Sequence, residues 1–297
     1  MESHTPDRPR PLPPAPPTDR PLRVLIDSDT GAEVDDQHAI ALAILRPDRL
    51  NLVGFVATHF ADHGGPQGTA RSAAQIENVL EAAGMAGKYP VRPGGDPLAY
   101  DTQPQRSPGA EFIIEQALAD DDPLWVVGLG ACSNIASALL IEPAIAERMV
   151  VVWHSRCKHW PARFASWNGL NDLSAVRALS RSRVPLVWFD TGTYLRLTME
   201  VSEERVRPRG RLGTLLHEIR LDKPFACRPD KAMFDVGDIA YLIDPSLCES
   251  EQAAVPEITP ELEFTWPRDN GQMHRIYQIN NAAALDLLYD VLKQHAG

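Results

Sequence analysis

A short acidic stretch directly follows the first apolar run of the chain. The segment VLIDSDTGAEVDDQ, residues 24–37, contains Asp27, Asp29, Glu33, Asp35 and Asp36. Capping and the helix dipole favour one or two such carboxylates at the start of a helix. Two unit charges about 4 Å apart repel by about 4 kcal/mol at an effective dielectric constant of about 20, so four or five converging carboxylates oppose folding unless a cation neutralises them. The stretch therefore predicts a site for a divalent cation.

The available ligand atoms indicate which cation this is. Oxygen ligands without a nearby cluster of histidines or cysteines favour Ca²⁺ or Mg²⁺ over zinc. His59 and His63 lack a third imidazole or thiolate, so they do not predict a zinc site. The 4 cysteines are scattered without CxxC spacing, which predicts neither a zinc site nor a disulfide framework.

The acidic stretch opens a regular alternation of short apolar runs and helix-like segments. The predicted strands are residues 22–26, 52–58, 125–129, 150–153 and 186–189. The predicted helices between and after them are residues 37–45, 67–83, 134–140 and 172–179. Such alternation predicts an α/β fold, with a mostly parallel central sheet flanked by helices on both faces. Ligands of such sheets bind beyond the carboxyl ends of the strands, which is where the acidic stretch lies.

The two ends of the chain differ from this pattern. Residues 1–21 contain eight prolines and few large apolar residues, which predicts a disordered tail ahead of a single domain over residues 22–297. Residues 200–275 are less regular and rich in proline and charge, so we expect loops and added helices over the same sheet edge. The apolar stretch 279–292 has helical spacing and predicts a terminal helix.

The overall charge limits the classes of partner. A formal net charge of -11 gives no basic surface for nucleic acid and no attraction to anionic membranes. No stretch approaches the roughly 20 apolar residues of a membrane span, and the N-terminus lacks the apolar region of a secretory signal. These features predict a cytoplasmic protein that acts on small molecules.

A strand followed by DxD also begins the haloacid-dehalogenase-like phosphatases, whose motif is DxDxT. In this chain the fourth position after Asp27 is Gly31, and Thr30 comes one residue early. The adjacent pair Asp35 and Asp36 has no role in that scheme. The phosphatase hypothesis is therefore the weaker alternative.

The acidic stretch resembles the N-terminal signature of the nucleoside hydrolase family, the inosine-uridine-preferring N-ribohydrolases. That signature is a strand, then DxDPGxDD, then an apolar helix. Here the segment reads DSDTGAEVDD, two residues longer between Asp29 and the aspartate pair and with Thr30 at the proline position. It is similar to a branch of the family that carries the longer loop.

Further segments resemble the family in the same order along the chain. They are GGDPL (94–98), GLGACSN (128–134) at the place of GPLTN, SWNGLNDLSA (166–175) at the place of EFNxxxDPEA, and MFDVGDIAYLIDP (233–245) at the place of HDPLAxAYLIDP. The resemblance spans about residue 22 to the C-terminus. It implies a Ca²⁺-dependent hydrolase that cleaves the N-glycosidic bond of a ribonucleoside or a related riboside, with a metal-activated water attacking C1′.

The resemblance also implies roles for individual residues. The side chains of Asp29, Asp36 and Asp235 and the backbone carbonyl of Ser133 would bind the Ca²⁺ ion, and Asp29 would also act as the catalytic base. Asp27 would lie behind these ligands and help to orient them.

Other positions would contact the substrate. Asp35 would accept hydrogen bonds from the ribose diol, and Asn168 would contact the 5′-hydroxyl or ring-oxygen side. Asp62 or His63 stands where the family places a sugar-contacting asparagine. The aromatic side chains that could stack on the base or aglycone are Trp160, Trp167 and Phe234.

Two departures bear on activity. Phe234 stands where many family members have a histidine that is associated with protonating or positioning the leaving base. Ser166 stands where they have a glutamate. Candidate replacements for the histidine are His154, His159, His217 and Lys231. The departures also leave open a non-catalytic relative that keeps the metal pocket and binds a sugar or nucleoside. By resemblance, the protein is expected to be a homodimer or homotetramer.

Overall fold

The structure, a computed structural model, describes residues 10–60, 65–222 and 226–296. Its strands are β1 (Leu22–Ser28), β2 (Leu50–Ala57), β3 (Val91–Pro93), β4 (Leu124–Gly128), β5 (Met149–His154), β6 (Leu186–Phe189), β7 (Arg196–Thr198), β8 (Asp230–Ala232), β9 (Cys248–Ala254), β10 (Glu257–Ile258), β11 (Phe264–Thr265) and β12 (Gln272–Ile279). Its α-helices are α1 (Asp35–Ile44), α2 (Gly68–Ala82), α3 (Pro108–Leu118), α4 (Ser133–Ile141), α5 (Trp167–Leu170), α6 (Leu173–Arg181), α7 (Met199–Val201), α8 (Gly210–Leu221), α9 (Phe234–Ile243) and α10 (Asn281–His295).

The main sheet has eight strands in the order β3-β2-β1-β4-β5-β6-β12-β9. Its pairs are parallel apart from the antiparallel pairing of β12 with the edge strand β9. Two small antiparallel pairs, β7-β8 and β10-β11, lie outside it. Two-residue alternation along β1 sends Val24 and Ile26 into one hydrophobic core and Leu25 into the other.

Helices cover both faces of this sheet. The core on one face includes residues of α1, α9 and α10, and the core on the other face includes residues of α3, α4 and α6. The predicted α/β architecture with a mostly parallel, doubly covered sheet is therefore confirmed. Within the described parts of the chain, no helix is long and apolar enough to cross a lipid bilayer.

Residues 200–275 were expected to form loops and added helices, and this was wrong in one respect. Strand β9 lies within this region and β12 begins in it, and both belong to the main sheet. Strand β9 is an edge strand with mostly exposed polar residues, so it has no apolar alternation to reveal it. In β12 the pairing register shifts between Ile276 and Gln278, which interrupts the two-residue period. Ile279 is the last residue of this strand, and the Asn280 side chain caps the terminal helix by accepting from the Ala283 N–H at 3.2 Å.

The described part of the proline-rich segment, residues 10–21, makes contacts with the domain. The buried Arg10 guanidinium donates hydrogen bonds to the carbonyls of Leu179, Ser180, Ser182 and Val184, at the end of α6 and just beyond it. Such contacts satisfy carbonyls that a helix end leaves without partners. The division into a disordered tail over residues 1–21 and a single domain over 22–297 stays a prediction.

Candidate active site

A cavity with about 660 Å³ of empty volume opens where β1, β4 and β5 end. We call it the acidic cavity, because Asp29, Asp35, Asp36 and Asp235 line it together with Glu33. Its remaining walls come from the ends of β4 and β5, from the segment around α5 and from the first residue of α9. The site thus lies at the carboxyl edge of the sheet, as the strand pattern predicted.

Three carboxylates converge tightly within it. Asp35 and Asp36 begin α1, Asp235 is the second residue of α9, and these two helices pack against each other. One carboxylate oxygen from each of the three residues lies within 4.8 Å of the others. All three side chains are buried, and Ser28 Oγ donates to Asp36 Oδ1 at 2.6 Å. Residues from distant parts of the sequence therefore form one oxygen-rich pocket.

The loop between β1 and α1 carries Asp29 into the same cavity. The Ala32 N–H donates to the Asp29 carbonyl at 2.7 Å, and the Gln37 amide donates to the Thr30 carbonyl at 2.7 Å, which ties the loop to α1. The end of β4 must lie close to Asp29, since a Cβ at Gly130 would stand 2.8 Å from the Asp29 Cγ. A glycine at position 130 makes this approach possible.

The electrostatics of the carboxylates fit a bound divalent cation. Burial raises the pKa of Asp29 well above its usual range, and the charges of Asp36 and Asp35 raise it further. Burial also raises the pKa of Asp235, with added repulsion from Asp35 and Asp36. Buried carboxylates with no cation among them carry a large desolvation and repulsion cost. A pocket of carboxylate oxygens is the donor set that Ca²⁺ prefers, so the residues present fit this ion.

Lys231 partly neutralises one side of the cavity. Its Nζ lies 2.5 Å from Glu33 Oε2 and 3.3 Å from Asp35 Oδ1, and it donates to the Ala232 carbonyl at 2.7 Å. Burial alone lowers the pKa of Lys231, but the carboxylates of Asp35 and Glu33 outweigh it and raise the pKa above its ordinary value. Lys231 therefore holds the start of α1 and its preceding loop against β8.

A histidine and an aspartate form a pair in the cavity wall. His154, the last residue of β5, bonds through Nδ1 to Asp238 Oδ2 at 2.6 Å, and the same nitrogen lies 3.9 Å from Asp235 Oδ1. The His154 ring meets the Phe234 ring edge to face with a centroid separation of 5.8 Å. Burial lowers the pKa of His154, but the Asp238 carboxylate overrides this and raises it.

The other histidines named from the sequence lie elsewhere. His217, in α8, contacts Ser202 Oγ at 3.0 Å and Glu203 Oε2 at 3.1 Å, and His159 is exposed. Of the four candidate replacements, His154 lines the cavity and Lys231 contacts two of its acidic residues.

Three of the predicted substrate contacts, Asn168, Trp167 and Phe234, line the acidic cavity beside its carboxylates. The Asn168 amide donates to the carbonyls of Leu129 at 2.6 Å and His154 at 3.0 Å, which bridges the ends of β4 and β5. Trp167 lines the cavity with 47% of its surface exposed, and Phe234 lines it half-buried. Ser166 also lines it and caps α5 by accepting from the Gly169 N–H at 3.2 Å. Trp160 packs instead against Trp188, Phe264 and Trp266.

One predicted metal ligand, Ser133, lies outside the described lining of the acidic cavity. Ser133 begins α4, where its hydroxyl bonds to His59 Nε2 and donates to Asp172 Oδ2, both at 2.6 Å, and it is not among the described residues that line the cavity. Its role through the backbone carbonyl stays a prediction. Asp62 and His63 lie outside the described residues.

Asp27 lies behind the cavity at the end of β1. It is completely buried, accepts a hydrogen bond from the Asn134 amide at 3.0 Å, and is absent from the described lining of the cavity. This placement suits a supporting residue and disfavours the phosphatase hypothesis, in which Asp27 would be a nucleophile facing the substrate. Burial raises the pKa of Asp27 to about 8.

Replacing Asp27 with Asn should flatten the pH dependence of stability. A carboxyl with a raised pKa holds its proton in the folded state and releases it on unfolding, so its stabilising contribution is lost as pH rises from about 4 to about 8. The amide cannot titrate and keeps an oxygen for Asn134. Chemical denaturation of wild type and D27N across this pH range measures the slope. An equal fall in unfolding free energy for both proteins would contradict the protonated state of Asp27.

Reasoning from the sequence missed two groups at this site, Arg156 and Asp238. Arg156 lines the cavity two residues beyond β5, in a loop that carries no recognisable motif. The sequence did contain a signal for Asp238, because it replaces the first alanine of the HDPLAxAYLIDP pattern. A carboxylate in an otherwise apolar stretch of helix requires a buried partner, and that partner is His154.

The chain is similar in sequence to known proteins. A family model described as inosine-uridine preferring nucleoside hydrolase matches residues 24–273. The non-specific ribonucleoside hydrolase RihC of Salmonella agona is 25% identical over 248 residues, which cover 76% of this chain and 80% of that protein. The pyrimidine-specific ribonucleoside hydrolase RihB of Escherichia coli strain SE11 is 27% identical over 224 residues, 66% of this chain and 69% of that protein.

Solved structures share the fold. The purine-preferring ribonucleoside hydrolase from Gardnerella vaginalis superposes with a TM-score of 0.75 at 17% identity, over 92% of this chain and 99% of that one. The inosine-uridine preferring nucleoside hydrolase from Bacillus anthracis has a TM-score of 0.69 at 16% identity, over the same 92% and 99%. The chain therefore belongs to the inosine-uridine preferring nucleoside hydrolase family and is an N-glycosyl hydrolase.

Proposed function

We propose that this enzyme uses Ca²⁺ to hydrolyse the N-glycosidic bond of a ribonucleoside or related riboside. The observation that carries the proposal is the convergence of Asp35, Asp36 and Asp235 within 4.8 Å, with Asp29 in the same cavity. The side chains of Asp29, Asp36 and Asp235 would hold the ion, with the Ser133 carbonyl as a further ligand. When bound, Ca²⁺ supplies positive charge that acidifies water and orients the ribose hydroxyls.

Residues of this chain accept the proton of the water and position the substrate. Asp29 accepts the proton of the attacking water, and Asp35 accepts hydrogen bonds from the 2′- and 3′-hydroxyls, which fixes the sugar. Asn168 contacts the 5′ side from a position held by two strand-end carbonyls. Trp167 and Phe234 offer ring faces for the base and exclude water from the bond that breaks.

His154 is the group we propose to contact the leaving base in place of the missing family histidine. Its Nδ1 is held by Asp238, so Nε2 is the ring nitrogen left to face the cavity that His154 lines. The packing of the His154 ring on Phe234 fixes its orientation. By resemblance to the family, we also propose a cytoplasmic location and a homodimeric or homotetrameric assembly.

A hydrolysis panel tests the proposed function. Purified protein with Ca²⁺ is expected to release reducing sugar from at least one member of a set of ribonucleosides, ribonucleotides and a p-nitrophenyl riboside. The other product is the free base or, from the p-nitrophenyl riboside, p-nitrophenol. Chelation of divalent ions should abolish release, and added Ca²⁺ should restore it. No sugar release from any member of the panel, combined with calorimetric binding of ribose, would instead support the non-catalytic alternative.

A further inference from the structure

We propose that the preferred substrates carry a phosphate on the 5′ side of the ribose, and that a second cavity binds this phosphate. This inference rests on the proposed function and specifies its substrate class. The second cavity, which we call the basic cavity, has about 850 Å³ of empty volume. Its polar and charged lining includes Arg156, Lys158, Asp190, Thr191, Thr193 and Arg275.

The basic cavity adjoins the acidic cavity at the same edge of the sheet. Arg156 lines both cavities, so a ligand that extends from one into the other passes this guanidinium. The turn after β6 reinforces the junction, because Gly192 has a φ of +105° and a Cβ there would lie 3.0 Å from the Phe234 Cα. The walls of the two cavities are thus in direct contact.

Charge changes sign along this edge. The acidic residues Asp29, Asp35 and Asp36 follow β1, whereas the basic cavity lies beyond β5, β6 and β12, which are further along the sheet. Adjacent strands are about 4.8 Å apart, so β5 lies about 10 Å from β1 across the intervening β4. In a protein of net charge -11, such a separated basic wall favours a ligand with an anionic group at one end.

The ion pairs in the basic cavity leave Arg156 able to bind an anion. Asp190 accepts from Arg275 at 2.6 and 2.8 Å and from the Cys157 N–H at 2.6 Å, but its contact with Arg156 is 3.5 Å long. Glu251 pairs with Arg275 at 2.6 Å, while Lys158 is exposed at the cavity wall. Arg275 is therefore the main partner of both carboxylates, and Arg156 makes the weakest of these pairs.

The chemistry of Arg156 and its neighbours suits a phosphate monoester. A guanidinium presents a planar pair of donors that matches two phosphate oxygens, and the nearby hydroxyls of Thr191 and Thr193 can donate as well. Arg156 Nε donates to Thr193 Oγ1 at 3.0 Å, which fixes the direction of the guanidinium.

The phosphate belongs on the 5′ side because of the position of Asn168. This amide, proposed to contact the 5′ side, bonds the carbonyl of His154, two residues before Arg156. Ser166, in the same wall, is a small neutral side chain where the family pattern has a glutamate, so no carboxylate there repels a phosphate. In the reaction, water adds at C1′, the C–N bond breaks, and the products are a free base and ribose 5-phosphate. The phosphate ester stays intact.

The test compares each ribonucleoside with its 5′-monophosphate in the presence of Ca²⁺. We expect kcat/KM for the monophosphate to be larger by about tenfold or more, the effect of a hydrogen bond to a charged group. Arg156→Gln should lower this ratio by on the order of 10- to 100-fold, and Arg156→Lys should lower it less, because the ammonium keeps the charge but loses the paired donors. Lys158→Gln, at an exposed position, should lower it by a smaller factor.

Arg148→Gln is the matched control, because Arg148 stands one residue before β5, at the end of that strand opposite to Arg156, and pairs with Asp121 at the surface. It should leave the ratio unchanged. A ratio near one in the wild type, or one unaffected by both R156Q and K158Q, would overturn the phosphate site while leaving nucleoside hydrolysis intact. A higher kcat/KM for a riboside with a carboxylated base than for the monophosphates would also overturn the phosphate site, because the anionic group would then belong on the base.

Calorimetry separates this inference from the proposed function. Ribose 5-phosphate should bind at least about tenfold more tightly than ribose to the Ca²⁺-loaded protein, and R156Q should remove the difference. If no substrate of the panel is hydrolysed, the proposed function fails, yet tighter binding of ribose 5-phosphate would still support the phosphate site. Equal affinity for the two sugars would reject it whatever the activity.

Discussion

Replacing Asp235 with Asn is expected to abolish measurable Ca²⁺ binding and to lower kcat/KM for the best riboside by on the order of 10³-fold. The reason is geometric, since Asp235 supplies from α9 the carboxylate that meets Asp35 and Asp36. An amide offers one neutral oxygen in place of a charged carboxylate, and Ca²⁺ sites depend on that charge. Calorimetric titration with Ca²⁺ and steady-state kinetics measure the two effects.

The same substitution should have the opposite effect on the metal-free protein. Repulsion from Asp35 and Asp36 contributes to the raised pKa of Asp235, so removing one charge from the cluster relieves that cost. We therefore expect D235N to unfold at a higher temperature than wild type in the presence of a chelator, and at a lower one when Ca²⁺ is abundant.

Asp286→Asn provides the control, because Asp286 is an exposed aspartate of α10 that pairs with Arg205 at the surface. It should change neither Ca²⁺ binding nor kcat/KM. Unaltered Ca²⁺ affinity in D235N would place the ion elsewhere and would remove the basis of the proposed mechanism.

Lys231→Met is expected to destabilise the metal-free protein by about 3 kcal/mol, the usual cost of removing one partner from a buried ion pair. Lys231 is the cation that contacts Asp35 at 3.3 Å and Glu33 at 2.5 Å, and Asp35 is buried. Without the ammonium, the buried Asp35 carboxylate loses this ion pair while it still faces Asp36 and Asp235. Urea denaturation in a chelating buffer measures the loss.

Added Ca²⁺ should recover part of this stability, since the ion supplies positive charge beside the same carboxylate. Lys231→Arg keeps the charge and should cost much less than Lys231→Met. If both variants lose the same stability, packing of the side chain rather than its charge would account for the effect. If neither variant loses stability, Lys231 does not hold the α1 loop against β8.

The local pattern of the sequence was sufficient for most of the elements beneath the site. Apolar runs predicted β1, β2, β4, β5 and β6, and the acidic stretch predicted a cation site at their carboxyl edge. Local patterns suffice here because a buried parallel strand is a continuous apolar run. Several carboxylates in one short loop also lie close together and repel one another, so the loop itself indicates a cation. The polar edge strand β9 and the irregular β12 lacked such a pattern.

The sequence by itself determined the family, the fold and the acidic character of the site. Only the tertiary structure decided which distant side chains meet there. The packing of α9 on α1 brings Asp235 to Asp35 and Asp36, and the end of β5 brings His154 to Asp238 and Arg156 to both cavities. Such pairs depend on how helices and strands pack across long sequence separations, which no short motif records. The physical reason is that a charge can be buried only where folding supplies its partner.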